Sequence, residues 1–156
     1  MKDILSLLQD FDVANFLPEP DKFLKNLEGF MRLLVLAGPL VLVVLGAWYY
    51  FAPPKEANHS VGFRTYWGMG SVEAWRFAQK LAGLGYGVLG AVLTVVMTLV
   101  SITFRGEKAF GMVMTTLICV IIELVLVLLV WLVLNLLVYK NFDKDGNRRK
   151  AKIGKK

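Results

Sequence analysis

The sequence predicts an all-α membrane protein with three transmembrane helices. Three apolar runs, at residues 33–51, 83–104 and 111–139, are rich in Leu, Val, Ile and aromatic residues. A helix that crosses about 30 Å of hydrocarbon needs roughly 20 apolar residues, and all three runs meet this requirement. The composition agrees, because 56% hydrophobic residues and a mean hydropathy of +0.57 are too high for a soluble domain of 156 residues.

The segment before the first run, residues 1–31, is predicted to form two short amphipathic helices. Apolar residues recur there at spacings of three and four on both sides of Pro18 and Pro20. The second helix is expected to open at Pro20-Asp21, with proline in its first turn. The apolar faces are expected to rest on the membrane surface or to dock on another protein. A membrane domain at 32–139 and a basic, solvated tail at 140–156 complete the predicted organisation.

The distribution of basic residues predicts the orientation. With three spans, the loop between the first two spans and the C-terminal tail share one side of the membrane. Four basic residues fall in that loop and eight in the tail, whereas four precede the first span and two separate the second from the third. The positive-inside rule therefore predicts a cytoplasmic C-terminus and an N-terminus on the outside.

Cofactor and metal sites are not expected. Cys119 is the single cysteine, and the single histidine, His59, has no second His or Cys at ligand spacing. The Asp143-x-Asp145-Gly146 segment is similar to the start of a calcium loop, but its glycine is misplaced and no acid closes the loop. No nucleophile, base and orienting group occur together, so we expect no enzymatic activity. The tail is expected to attract anionic lipid rather than nucleic acid.

The most distinctive part of the chain is residues 61–82. A glycine-punctuated, aromatic-rich turn is followed by Ser71, which has the chemistry of a helix N-cap, and by Glu73 near the positive end of the helix dipole. This pattern predicts a short interfacial helix that leads into the second span.

Arg64 lies within that turn, beside Phe63, Tyr66 and Trp67. An arginine held by a glycine turn among aromatic rings is able to present its planar guanidinium to a phosphate, a carboxylate or a peptide carbonyl. The alternative is that Arg64 pairs with lipid headgroups while the aromatic residues form an ordinary interfacial belt.

The same residues resemble the signature of a known family. Gly62-Phe63-Arg64-Thr65 and then Trp75-x-x-Ala78-Gln79-x-x-Ala82-Gly83 are similar to the turn, tryptophan and small residues of the bacterial sporulation-delay-protein immunity family. The resemblance extends over roughly residues 35 to 140. It departs from the family at Tyr66, where proline is usual, and in span number, since the best-known type has six.

The resemblance implies a non-enzymatic, multi-pass protein of the bacterial cytoplasmic membrane, with roles in immunity to an antimicrobial peptide and in membrane sequestration of a repressor. It implies a partner-binding set, which consists of Gly62, Phe63, Arg64, Thr65, Trp75, Gln79 and Gly83.

Small and polar residues inside the spans predict close helix packing. The Gly83-x-x-x-Gly87 pair permits close backbone approach, and Thr94 and Thr98 continue that stripe towards Ser101. A matching stripe on the third span, which it is expected to face, consists of Gly111, Thr115, Cys119 and Glu123.

Glu123 is an ionisable residue in the middle of the third apolar run. A carboxyl group near the middle of an apolar run is costly, so Glu123 is expected to face protein and to remain protonated. Its expected partners are Thr94, Thr98, Cys119 or a polar group of another subunit. Interhelical packing and a binding or proton-handling role both remain open for it.

Three functions are consistent with these features. The first is an immunity-like protein that binds a peptide toxin or a membrane partner, as a monomer or a homo-oligomer. The second is an accessory subunit of a larger membrane complex, and the third is a proton or ion pathway that uses Glu123.

Overall fold

A computed structural model describes residues 20–57 and 60–149. Within them the chain forms three α-helices, α1 (Pro20–Phe51), α2 (Val72–Ile102) and α3 (Ala109–Asn141). All three are long and apolar enough to cross a membrane. The prediction of an all-helical fold with three helices of membrane-spanning length is therefore confirmed for the described residues.

Two of the helices begin earlier than the apolar runs do. α1 starts at Pro20, so the second predicted amphipathic helix is the opening part of a 32-residue helix. α2 starts at Val72, and the described residues before it form no separate interfacial helix, so the predicted one is the opening part of α2. Neither polar stretch contains a proline after the helix start, and an unbroken helix satisfies its own backbone in water and in lipid alike. The first predicted amphipathic helix lies outside the described residues.

Ser71 caps the start of α2, as its position predicts. Its Oγ accepts a hydrogen bond from the amide of Ala74 at 3.1 Å, and its carbonyl accepts the amide of Trp75 at 2.9 Å. Ser71 thereby satisfies two of the backbone amides at the start of α2.

The chain divides into two compact units, and each contains part of every helix. The first unit combines the described residues up to Val41 with Ala91–Val125, and the second combines Leu42–Gly90 with the described residues from Leu126 onward. Val35, Phe104 and Met112 are buried in the first unit. Trp75 and Val138 are fully buried in the second. Large apolar side chains remain exposed along all three helices, which suits a lipid environment.

Glycines bring α1 and α2 together in the second unit. A Cβ on Gly46 would collide with the backbone of Gly87, and a Cβ on Gly83 would lie 2.6 Å from the amide nitrogen of Tyr50. The predicted close approach at Gly83 and Gly87 is confirmed, but the helix that they contact is α1 rather than the stripe on α3. The sequence does not reveal this because Gly46 has no side chain to extend the pattern.

Residues 142–149 fold back as a short hairpin against the start of α2. Phe142 is fully buried and forms an antiparallel bridge with Arg148, while Ser71 Oγ donates a hydrogen bond to the Gly146 carbonyl at 2.7 Å. Gly146 has a φ of +76°, a conformation that glycine adopts without strain. This part of the predicted tail is therefore folded, with Phe142 and Gly146 buried, while Lys144, Arg148 and Arg149 remain exposed to solvent as predicted. Residues 150–156 lie outside the described part of the chain.

The Asp143 carboxylate holds the turn of this hairpin. Its Oδ1 accepts the amide of Asn147 at 2.8 Å and that of Asp145 at 3.0 Å. These hydrogen bonds, above all the one from the Asn147 amide, hold the pKa of Asp143 below its usual value. The acidic pattern that is similar to a calcium loop thus serves a backbone turn.

Candidate functional site

Gln79 attaches residues 62–69, which we call the Arg64 turn, to α2. Its Oε1 accepts a hydrogen bond from the amide of Phe63 at 2.9 Å, and its Nε2 donates to the carbonyl of the same residue at 2.8 Å. The Gln79 side chain is fully buried, so these two bonds replace the pairing that regular secondary structure would supply. The backbone at Phe63 is therefore fixed although the turn is neither helix nor strand.

Trp75 fixes a second point of the connection between α1 and α2 to the same face of α2. Its Nε1 donates a hydrogen bond to the Pro54 carbonyl at 2.8 Å, and its side chain is fully buried. Gly62 lies against the indole, where a Cβ would stand 2.7 Å from a ring carbon. Gly62 also has a φ of +114°, so both its conformation and its neighbour require glycine.

Thr65 closes the turn on the other side of Arg64. Its Oγ1 accepts the amide of Gly68 at 2.8 Å, and its carbonyl accepts the amide of Met69 at 3.2 Å. A Cβ on Gly68 would lie 3.1 Å from the Cβ of Ala78, so the turn packs directly on α2.

Arg64 is the exposed residue between buried Phe63 and buried Thr65. It lines a groove of about 400 Å³ in the second unit. We call this the Arg64 groove, and its lining consists of Leu42, Leu45, Tyr49, Gly62, Phe63, Arg64, Tyr86, Val127 and Trp131. Phe63 and Tyr86 meet edge to face in its wall, with ring centroids 5.9 Å apart.

The Arg64 groove combines one permanent cation with an apolar and aromatic wall. A guanidinium offers five donors in a planar fork, which suits a carboxylate or a peptide carbonyl. Tyr49 and Trp131 offer apolar surface to a neighbouring side chain. The arrangement is suited to binding, and the described residues include no group of His, Cys, Asp and Glu side chains that is able to hold a metal ion. His59 lies outside the described residues.

A comparison with family models matches residues 55–138 to the SdpI/YfhL protein family. The matched segment covers more than half of the 156 residues and includes the whole Arg64 turn. The chain belongs to the SdpI/YfhL protein family. The resemblance carried by the Gly62–Thr65 and Trp75–Gly83 motifs is therefore confirmed. No curated protein and no solved structure matches the chain.

In this SdpI/YfhL family member, most of the predicted partner-binding residues support the turn instead of facing outward. Arg64 is exposed and Gly62 is partly exposed, and both line the groove. The buried members are Phe63, Thr65, Trp75, Gln79 and Gly83. The structure thus brings the Gly62–Thr65 motif together with Trp75 and Gln79, whereas Gly83 lies against Tyr50 of α1.

Three aromatic residues of the groove do not stand out in the sequence. Tyr49, Tyr86 and Trp131 each lie in an apolar run, where an aromatic residue first indicates an interfacial belt. Tyr86 alone carries a usable signal, because it follows Gln79 by two helical turns and lies on the same face of α2.

Glu123 faces protein in the first unit, as predicted. It is 6% exposed, and its carboxyl group fills the space beside Gly38 of α1, where a Cβ would lie 2.5 Å from Oε2. Its Oε1 is buried and accepts no hydrogen bond from the described residues.

The predicted partners of Glu123 do not satisfy this Oε1 atom. Thr98 Oγ1 instead donates to the carbonyl of Thr94 at 2.6 Å, and Cys119 is buried one turn earlier on α3. At this atom the expected pairing with Thr94, Thr98 or Cys119 is not formed, and pairing with a polar group of another subunit stays a prediction. The carboxyl group instead occupies the space that the missing side chain of Gly38 leaves on α1. The sequence does not predict this contact, because a glycine adds no polar residue to the pattern.

Proposed function

We propose that this SdpI/YfhL family member is a non-enzymatic immunity protein of the bacterial cytoplasmic membrane that binds an antimicrobial peptide through the Arg64 groove. The observation that carries the proposal is the presentation of Arg64 at an aromatic groove by a turn whose buried polar groups are paired. A turn held in this way keeps the backbone at Arg64 in place before a ligand arrives, which lowers the entropic cost of binding.

The two kinds of lining match the two kinds of group on a membrane-active peptide. Arg64 pairs with a peptide carboxylate or with a backbone carbonyl that the membrane has left without a donor. The apolar side chains of the peptide pack against Tyr49, Leu45 and Trp131. A groove of about 400 Å³ has room for a few side chains, so the peptide binds by a short segment.

The orientation in this proposal follows from the basic residues, which favour a cytoplasmic C-terminus and place the Arg64 turn on the cytoplasmic side. A peptide that has inserted into the bilayer reaches the groove along its helical wall, which Leu42 and Val127 line. Capture of an inserted peptide at this level keeps it from assembling with other copies.

The test is protection of a peptide-sensitive bacterium by expression of the wild-type chain and of Arg64→Gln. Wild type is expected to raise the inhibitory concentration of at least one membrane-active peptide, and Arg64→Gln to lose at least tenfold of that protection. Arg105→Gln is the matched control, because Arg105 is exposed and lies outside the groove. Immunoblots of membrane fractions check that the variants are equally abundant. Equal protection by Arg64→Gln and wild type contradicts the proposal, as does an absence of protection by wild type.

Purification in mild detergent separates this proposal from a role as an accessory subunit. We expect a monomer or a homo-oligomer. A stoichiometric unrelated membrane protein that copurifies through several columns would favour the accessory role. Glu123 offers little support for that role, because its carboxyl group packs beside Gly38 of its own chain.

A further inference from the structure

A second groove in the second unit carries a strong positive charge. It has a volume of about 660 Å³, and four of its side chains are cationic against one carboxylate, a net charge of +3. We call it the basic groove, and its lining consists of Pro53, Pro54, Lys55, Val72, Glu73, Arg76, Phe77, Lys80 and Arg148. It shares no lining residue with the Arg64 groove.

The cations reach this groove from three segments of the chain. Lys55 follows α1, while Arg76 and Lys80 lie one turn apart on α2. Arg148 arrives from the hairpin after α3, which the Ser71 hydroxyl holds at the Gly146 carbonyl. The hairpin is also anchored by Phe142, whose ring lies 5.4 Å from that of Phe77 in the groove wall. The fold therefore assembles these charges, which local sequence alone would not bring together.

The carboxylate in the groove does not neutralise these charges. Glu73 pairs with Arg148 at 2.6 Å, and both side chains are more than half exposed, so the pair is weak and easily exchanged. Within the described residues, no ion pair or hydrogen bond engages Lys55, Arg76 or Lys80. Like charges that converge on one groove repel each other, and an anion that binds among them relieves the repulsion.

The rest of the lining indicates which anion fits. Pro53, Pro54, Val72 and Phe77 contribute apolar surface to the groove lining. Pro53 comes two residues after the end of α1, and Lys80 comes shortly before the apolar part of α2 begins at Gly83, so both lie where a span meets water. A phospholipid offers both an anionic headgroup and apolar glycerol and acyl parts at that level, so this lining suits it.

We propose that the basic groove binds one phosphate-bearing anion, with Arg76, Lys80, Lys55 and Arg148 as its ligands. Arginine pairs with two phosphate oxygens at once, and lysine adds point charges around them. These ligands are able to bind the headgroup of an anionic phospholipid or a free phosphate. The apolar residues of the lining favour the lipid.

The experiment uses the full-length chain in nanodiscs and counts retained lipids by native mass spectrometry. Discs of phosphatidylcholine with a small fraction of phosphatidylglycerol are compared for wild type, Arg76→Gln/Lys80→Gln and Arg105→Gln/Lys108→Gln. The last pair removes the same charge from exposed positions outside the groove. Tryptophan fluorescence during heating checks that the variants are folded. A second arm titrates inorganic phosphate into discs of phosphatidylcholine alone.

Wild type and the Arg105/Lys108 variant are expected to retain one phosphatidylglycerol, and the Arg76/Lys80 variant to bind it about 30-fold more weakly. Arg64→Gln is expected to retain the lipid, so the result is independent of the proposed immunity function. Phosphate binding that depends on Arg76 and Lys80 would support the site and identify free phosphate as an occupant. Equal losses in the two double variants would overturn the proposal, as would a wild type that binds neither anion. If the Arg76/Lys80 variant unfolds, Lys55→Gln provides the same comparison with a smaller expected loss.

Discussion

Gln79 and Glu123 are both buried polar side chains on apolar helices, but their hydrogen bonding differs. Each polar atom of Gln79 is paired with the backbone of Phe63, whereas Oε1 of Glu123 accepts no hydrogen bond from the described residues. A fully paired group fixes its surroundings, and an incompletely paired group carries a cost. The comparison indicates that Gln79 determines where the backbone of Arg64 lies. Glu123 fills space beside Gly38 and keeps one unpaired oxygen, so packing and the binding of a proton or partner are both open for it.

The largest effect is expected for Gln79→Ala. The substitution leaves the Phe63 amide and carbonyl buried without partners, and we expect a loss of about 2 to 4 kcal/mol in the free energy of unfolding. Protection against peptides should fall as well, because the Arg64 turn loses its anchor. Unfolding in mixed micelles measures the first effect and inhibitory concentrations measure the second.

Asn135→Ala is the matched control for that prediction. Asn135 also carries an amide on an apolar helix, but its Nδ2 donates only to the Trp131 carbonyl four residues earlier and in an exposed position. We expect this control to change the free energy of unfolding by less than about 0.5 kcal/mol. Equal effects of the two substitutions would show that the clamp on Phe63 adds no stability.

A smaller effect is expected where packing rather than hydrogen bonding holds the second unit together. Gly46→Ala forces α1 away from the backbone of Gly87 and should lower the free energy of unfolding by about 2 kcal/mol. Gly87→Ala is the control, because its Cβ would lie 3.8 Å from the nearest atom of Gly46, an ordinary contact. Thermal unfolding of both variants in one detergent measures the difference, and a Gly87→Ala effect as large as that of Gly46→Ala would contradict this account of the crossing.

The sequence predicts local features of this fold well and tertiary partners poorly. Apolar length determines the three spans, and the Ser71 cap depends on its own neighbours, so both are visible in the chain. The contact of Glu123 with Gly38 and that of Gly83 with Tyr50 are not visible, because a glycine contributes space instead of a side chain.

The candidate site shows the same division. The turn motif identifies Arg64, but the motif alone does not distinguish the exposed arginine from the buried residues that hold it. The sequence does not predict the hairpin at residues 142–149, for a related reason. Its charges predict a solvated tail, whereas the burial of Phe142 depends on contacts such as that with Phe77 on another helix.

A smaller effect on stability than that of Gly46→Ala is expected for Glu123→Gln. Glutamine has nearly the same shape, remains neutral at every pH and fills the same space beside Gly38. Because a buried carboxyl group in a span is expected to be protonated, the substitution exchanges one neutral group for another, and the free energy of unfolding should change by less than about 1 kcal/mol. Unfolding in mixed micelles at neutral pH measures this change.

The same variant decides between packing and chemistry at Glu123. If the carboxyl group only fills space, Glu123→Gln retains full protection against peptides, and proteoliposomes that contain it show the same proton permeability as wild type. A proton flux that is present in wild type and lost in the variant would contradict the packing interpretation, since the two side chains differ in their ability to release a proton rather than in shape. Such a result would also extend the comparison with Gln79, because the incompletely paired group would then be the functional one.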